Sequence, residues 1–367
     1  MTGGGIDPGS FAPRLVAWQR THGRHDLPWQ LSRDPYRVWV SEIMLQQTRV
    51  DTVLRYYEPF LRRFPDVRAL AAAELDQVLA QWSGLGYYRR ARNLHGCARQ
   101  VCELHGGEFP RSREGLEQLA GIGRSTAAAI AAFCFGQREA ILDANVQRVL
   151  ARAFAMPRPR DAASLRAMWE LAESLLPDTA LDAYTQGLMD LGATLCKPTQ
   201  PDCLLCPFAA DCPRDEAVMP SAAAKTPRRA ARRTLEWVLL WARSDEPAGP
   251  RVWLQRRDPQ GIWPGLWSLP GHDDEAQALQ QAAQLGEVLR QSARAPLRHV
   301  LTHMDLLLRP LEIWLRAHER VADADAGGAW FTLEQALALG LPAPVRKLLA
   351  ADRVGDRIEA ADAGERG

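Results

Sequence analysis

The chain has 367 residues, 47% apolar and 24% charged, with 45 Lys and Arg against 44 Asp and Glu for a formal net charge of +1. That length predicts two domains with separate cores, and a balance so near zero leaves any nucleic-acid role to be decided by where the charges lie. The start of the chain has no basic stretch or apolar core, which excludes a signal peptide, and the longest apolar run, 127–135, is too short to span a bilayer. The seven cysteines are mostly clustered, which suits a metal site in a reducing compartment better than disulfides. A soluble, cytoplasmic protein is expected.

Residues 1–10 read as a disordered tail, followed by an amphipathic helix from Phe11 to His22 and a turn at Leu27–Gln30. Asp34-Pro35 opens the next helix, with an N-cap residue followed by proline at the first helical position. That helix is expected to run from Tyr36 to Thr48. Glu42 lies four residues after Val38 and three after Trp39, so it shares their apolar face. A carboxyl there loses solvation, which raises its pKa and suits an acid near neutral pH. A rim glutamate paired with an arginine satisfies the same pattern. From Gln77 to Cys102 there is no acidic residue, while Arg89, Arg90, Arg92 and Arg99 gather near Tyr87 and Tyr88. Basic residues interleaved with aromatics predict phosphate contacts and a stacking or wedging side chain. A solvated basic helix face is the plainer alternative, but Gly84 and Gly86 favour a loop that approaches something closely.

The hub of the chain is 113–154. Helices over 113–119 and 125–135 flank Gly121-Ile122-Gly123, and two glycines permit a very tight hairpin. The second helix then starts with outward N–H groups that suit a phosphate oxygen. Such a contact holds nucleic acid by its backbone without reading sequence. Asp143, in Leu142-Asp143-Ala144-Asn145-Val146, precedes a helix over 146–154, and on spacing alone it is that helix's N-cap. Helices over 161–176 and 181–195 follow. No β-alternation occurs before residue 234, so this half is expected to be all-α. Cys196-x6-Cys203-x2-Cys206-x5-Cys212 can wrap one centre. The spacing alone admits a structural zinc. Cys97, Cys102 and Cys134 read as buried apolar side chains.

Residues 216–233 form a basic linker whose charge suits a path along DNA. Strands are then expected over 235–241 and 251–257, an aromatic loop over 261–271, and a second strand pair over 297–303 and 306–316. Helices over 275–291, 333–339 and 345–350 complete an α+β domain.

Leu-x-Gly-Ile-Gly-x-x-Thr-Ala followed by Leu-Asp-x-Asn-Val resembles the helix-hairpin-helix DNA glycosylases of the endonuclease III superfamily. Trp39-Val-Ser-Glu-Ile-Met-Leu-Gln-Gln-Thr48 resembles the matching helix of the MutY-type adenine DNA glycosylase family. The resemblance covers about 11–350. It implies a multidomain fold, with an all-α glycosylase domain over 11–215, a helix-hairpin-helix over 113–135, an iron–sulfur loop over 196–212 and a Nudix-like lesion-recognition domain over 234–352. It further implies Glu42 as catalytic acid, Asp143 as the key carboxylate and a 4Fe–4S cluster on Cys196, Cys203, Cys206 and Cys212 that holds a basic loop near DNA. Gln47 and Tyr87 are implied to enter the base stack, and Gln186 to line the adenine pocket. Gly121, Gly123, Ser125 and Asn145 are implied on the DNA side. Thr302 and His303 would sense 8-oxoguanine, with Leu301 where the family has phenylalanine. Ala144 replaces the usual glycine, which requires a negative φ there. The Gly271–Glu287 region lacks the acidic cluster of a Nudix hydrolase, so the domain is expected to bind without hydrolysing.

Breaking the adenine–deoxyribose bond leaves a cationic sugar and a base in need of a proton, which calls for two carboxyls in opposite protonation states. Glu42 would protonate adenine, and Asp143 would stabilise the sugar cation as it forms. Lyase members of the superfamily carry lysine where this chain has Ser125, so the expectation is a monofunctional enzyme. It would act as a monomer on duplex DNA with adenine opposite 8-oxoguanine or guanine. A glycosylase for thymine opposite guanine, a non-catalytic damage-binding protein and a cluster-based electron-transfer enzyme are the alternatives.

Overall fold

A computed structural model describes residues 5–213, 232–246, 249–301, 304–317 and 327–351. Thr302, His303 and linker residues 216–231 lie outside them. The N-terminal half is built from helices α1 (Pro8–His22), α2 (Pro35–Leu45), α3 (Val50–Arg63), α4 (Val67–Ala72), α5 (Leu75–Gln81) and α6 (Arg89–His105). It continues through α7 (Arg113–Glu117), α8 (Arg124–Phe135), α9 (Ala144–Ala153), α10 (Ala162–Ser174) and α11 (Leu181–Asp190). No strand precedes Arg233 among the described residues, as the sequence predicts. Side-chain oxygens close several helix starts: Asp34 accepts from Arg37 N, Ser112 from Gly115 N and Asp161 from Ser164 N. Each such cap contributes about 1 kcal/mol. A core of Phe11, Leu15, Val146, Leu150, Tyr184, Leu188 and Phe208 draws α1, α9 and α11 together. Phe11 stacks on Phe208 with ring centroids 4.6 Å apart.

Several boundaries differ from the sequence reading. The first helix begins at Pro8, inside the expected tail, because Asp7-Pro8 repeats the start signal of Asp34-Pro35. Helix α2 stops at Leu45, and Gln47 lies beyond it at φ 56. Helix α11 ends at Asp190 and continues as a wide turn over Leu191–Leu195, closed by Cys196 N donating to Leu191 O.

The C-terminal half is a mixed sheet. Strands β1 (Arg233–Glu246), β2 (Gly249–Arg256), β3 (Trp267–Ser268), β4 (Gly271–His272), β5 (Gly286–Ala293), β6 (Leu297–Val300), β7 (Met304–Ala317) and β8 (Gly328–Thr332) are joined by α12 (Glu275–Leu285) and α13 (Leu333–Leu337). A last helix covers 343–351. The order is β3-β2-β1-β7-β5, with β4 on β1, β6 on β7 and β8 on β2. Only the β1–β7 ladder among those described is parallel. Alternate residues Val238, Leu240 and Ala242, with Leu311, Ile313 and Leu315, face Ala278, Ala282 and Leu285 of α12. The expected helix over 275–291 is corrected: it ends at Leu285 and β5 begins. A Cβ on Gly286 would lie 2.4 Å from the Arg316 carbonyl oxygen, so glycine alone lets this strand close on β7.

The chain separates into two compact units, Met1–Ala72 with Asn93–Pro227, and Ala73–Arg92 with Arg228–Gly367. The segment Ala73–Arg92 packs with the C-terminal half although it lies in sequence within 11–215. No helix among the described residues is long and apolar enough to cross a membrane.

Candidate active site

In the first unit, α2 sets Glu42 beside its apolar face, with Val38 and Trp39 buried. Burial, and then the negative charge of Asp143, push the Glu42 carboxyl up to about 8. The two carboxyls are therefore near enough to sense each other, and both effects favour the protonated form of Glu42. Cys134, on α8, is a neighbour, half-buried where the sequence reading expected a buried apolar side chain. Its thiol is pushed up to about 12 by burial and by the charges of Asp34 and Glu42. Asp143 caps α9, its Oδ1 accepting from Asn145 N at 2.9 Å and Val146 N at 2.8 Å. The cap fixes the side chain and engages one oxygen only. Ala144 has a negative φ, as its Cβ requires.

The hairpin holds Asp143 in place. Ser125 Oγ accepts from Leu142 N at 3.0 Å, tying the first turn of α8 to the residue before Asp143. The two hairpin glycines act differently. Gly121 has φ 78, and a Cβ there would meet Asn93 Cβ at 2.7 Å. Gly123 has φ −93, and a Cβ there would meet nothing within 4 Å. The fold needs the first glycine, while the second leaves the helix N-terminus open to a group from outside. Arg124 does not extend outward. Its guanidinium lies 3.8 Å from the Trp169 ring centroid and pairs with Glu173.

Asn145 faces inward, its Oδ1 accepting from Arg148 at 2.7 Å. Arg148 is buried and also donates to the carbonyls of Gly192 (2.7 Å) and Cys196 (2.8 Å). One turn on, buried Arg152 donates to the carbonyls of Lys197 and Pro198 and to Cys196 Sγ at 3.4 Å. The helix that Asp143 caps is thus joined directly to the cysteine loop. The sequence reading missed both arginines. Their signal is two cations one turn apart on the buried side of an amphipathic helix.

The four cysteines line one cavity of about 30 Å³ with Arg152, Leu195 and Ala209. Burial pushes the Cys206 thiol up to about 11, and the other three cysteines push the same way. Among the described residues no three His, Cys, Asp or Glu side chains converge on a single-ion site. An all-sulfur donor set, an arginine N–H on one sulfur and the unpartnered Arg152 Nε at the wall fit an anionic, sulfur-ligated group. The loop is not basic, contrary to expectation. It holds one Lys and two Asp, Lys197 pairs with Asp202 at 2.7 Å, and Leu204 and Leu205 are its exposed large apolar side chains.

Gln186 donates to Asp190 Oδ1 at 2.8 Å, and Arg24 donates to both oxygens of this fully buried carboxylate. Asp190 and Arg24 were also missed, being far apart in sequence. In the second unit Tyr87 is 46% exposed at φ 48. Of the arginines expected to meet phosphate, Arg90 is buried and Arg92 donates to the Pro264 carbonyl, while Arg99 pairs with Glu103. Only Arg89 of the four is exposed without a described partner. At the linker's end Arg232 pairs with Asp305 at 3.1 Å.

The model of the HhH-GPD superfamily base excision DNA repair proteins matches residues 40–174, and that of the NUDIX domain matches 238–351. The adenine DNA glycosylase of Buchnera aphidicola subsp. Baizongia pistaciae is 32% identical over 92% of this chain and 95% of its own. The adenine DNA glycosylase of Homo sapiens is 33% identical over 89% of this chain and 71% of its own. The structure of a thermostable thymine-DNA glycosylase superposes with a TM-score of 0.51 at 31% identity, covering 56% of this chain and 97% of that one.

Proposed function

The chain belongs to the HhH-GPD base excision DNA repair superfamily and, within it, to the adenine DNA glycosylases, and from that membership we propose that it hydrolyses the N-glycosidic bond of adenine mispaired with 8-oxoguanine or guanine in duplex DNA. The observation that carries the reading is the pair of carboxyls, with Glu42 held up to about 8 by burial and by Asp143. The adenine leaves the stack, with Gln47 and Tyr87 entering the space behind it. Glu42 gives its proton to an adenine ring nitrogen. The Asp143 carboxylate, fixed by its cap, stabilises the sugar as positive charge grows, an interaction stronger in the transition state than before it. Water completes the hydrolysis. Ser125 offers no amine, so no Schiff base forms and the product is an abasic site. Cys196, Cys203, Cys206 and Cys212 would hold a 4Fe–4S cluster beside Arg152. Once bound, the cluster supplies a rigid cross-link between loop and α9. Leu301, with Thr302 and His303 outside the described residues, would meet the 8-oxoguanine.

The test is single-turnover base release with Asp143→Asn. Duplex binding should persist while release falls on the order of 10³-fold. Near-normal release would remove Asp143 from the chemistry. Wild type treated with borohydride should trap no covalent adduct. Duplexes carrying adenine opposite 8-oxoguanine, guanine or cytosine, and thymine opposite guanine, separate this reading from a thymine glycosylase. The thymine-DNA glycosylase structure covers only 56% of this chain, whereas the adenine relative of Buchnera is matched over 92%.

A further inference from the structure

Tyr87 belongs to the unit formed by Ala73–Arg92 and the C-terminal half. The carbonyl of Leu341 accepts from Ser83 Oγ at 2.9 Å and from the Tyr88 hydroxyl at 3.0 Å. Ser83, Tyr88 and Leu341 are all buried. Two donors use both lone pairs of one carbonyl oxygen. That carbonyl sits in the short connection between α13 and the helix over 343–351. Arg346 stiffens the connection by donating to the carbonyls of Leu337 (2.8 Å) and Leu339 (2.7 Å). At the other end of the segment, Asp76 accepts from Arg256 at 2.7 Å and from the Trp267 indole at 3.2 Å.

Between these attachments the loop itself is rigid. Gly84, Gly86 and Tyr87 all have left-handed backbones, at φ 108, 72 and 48. A non-glycine residue keeps such a conformation only where its surroundings over-determine it. Here Arg90 does so from beneath. Its guanidinium lies 5.3 Å from the Trp82 ring centroid and 5.6 Å from that of Tyr87. It also donates to the carbonyls of Leu85 (3.2 Å) and Gly86 (3.3 Å), and the Trp82 indole donates to Gly86 O at 3.1 Å. A stiff loop moves as one piece, so its anchor decides where Tyr87 points.

We propose that Ser83 and Tyr88 are positioning residues through which the C-terminal half sets the wedge Tyr87, so that this half acts on adenine extrusion as well as on lesion sensing. The proposal rests on the reading of Tyr87 as a wedge. Tyr88 is adjacent to Tyr87 in the chain, so releasing its hydroxyl from Leu341 frees the backbone that carries the wedge.

The test uses the full-length protein and a duplex with 2-aminopurine in place of the mispaired adenine, read by fluorescence on extrusion, alongside single-turnover adenine release. The variants are Ser83→Ala, Tyr88→Phe, their double, Tyr87→Ala and the triple. Losing two hydrogen bonds should lower the extrusion signal and the release rate of the double variant about tenfold, with duplex affinity within about threefold. In the Tyr87→Ala background the same pair should produce no further loss. Ser83→Ala, the mildest change, should give about a threefold loss and guards against a misfolded double variant. Wild-type extrusion by the double variant, beside a clear loss in Tyr87→Ala, overturns the anchor alone. A loss that adds fully to that of Tyr87→Ala overturns it too. Normal extrusion by Tyr87→Ala removes the wedge reading and the anchor with it.

Discussion

Around Asp143 the backbone is relaxed: an extended N-cap, a regular helix, and Arg148 and Arg152 filling carbonyls on the next segment. Around Tyr87 the backbone is strained, and a stacked arginine holds the strain in place. Both stretches fix one side chain. The first does so through hydrogen bonds that cap the helix and fill the carbonyls of Gly192, Cys196 and Lys197, and its failure mode is an unpaired buried atom. The second does so by overriding local preference, and its failure mode is relaxation of the loop. On the proposed roles, a carboxylate facing a growing charge needs a fixed position throughout, whereas a wedge needs only to resist being pushed back.

The largest effect expected from this contrast is at Arg148. Arg148→Ala would strip three acceptors, on Asn145, Gly192 and Cys196, and should destabilise the protein by about 3 kcal/mol, or about 10 °C in Tm. Arg148→Lys should restore little, since one ammonium cannot span three acceptors held by a planar fork. Wild-type melting of either variant would break the comparison. Next is the pH response of Glu42. Base release should hold at lower pH and fall as pH rises through about 8, where the acid loses its proton. The folded-state pKa lies above the usual 4.5, so stability contributed by the neutral form is lost between pH 4.5 and about 8. Glu42→Gln should therefore raise Tm over wild type by more at pH 8 than at pH 5. An equal gain at both values would contradict the burial argument.

The hairpin glycines give a third, smaller test. Gly121→Ala should destabilise by about 2 kcal/mol through φ 78 and the 2.7 Å approach to Asn93. Gly123→Ala should stay within about 1 kcal/mol and instead weaken duplex binding. Calorimetry with filter binding on both variants would show whether the two roles separate. Smallest is Gln47, exposed at φ 56. Gln47→Gly should raise stability by about 0.5 kcal/mol while reducing extrusion. A fall in stability would mean that contacts, not strain, govern that position.

The parts legible from sequence were those fixed by local chemistry. Asp34-Pro35 announces α2, and the Gly121–Gly123 hairpin stands between its two helices. Glu42 was legible because its face follows from helical spacing, and the four cysteines because their spacing forces them together. Long-range closeness was not legible. The spacing of Arg148 and Arg152 puts them on the buried side of α9, but the carbonyls of Gly192, Cys196, Lys197 and Pro198 that they fill come from a distant segment, which no periodicity reveals. The same holds for Asp190, whose partner Arg24 is 166 residues away. Residues 286–291 read as helix because Glu, Leu, Arg and Gln favour one. The backbone contact of Gly286 with β7 overrides that preference.

The cap at Asp143 has one more implication, for inheritance. Asparagine closes a helix start as well as aspartate does, so if Asp143 has the proposed role, a single-base change in the codon would silence the chemistry and leave α9, its arginines and the cysteine loop intact. On the proposed mechanism, a protein altered in this way would keep its fold and its duplex binding while base release is lost.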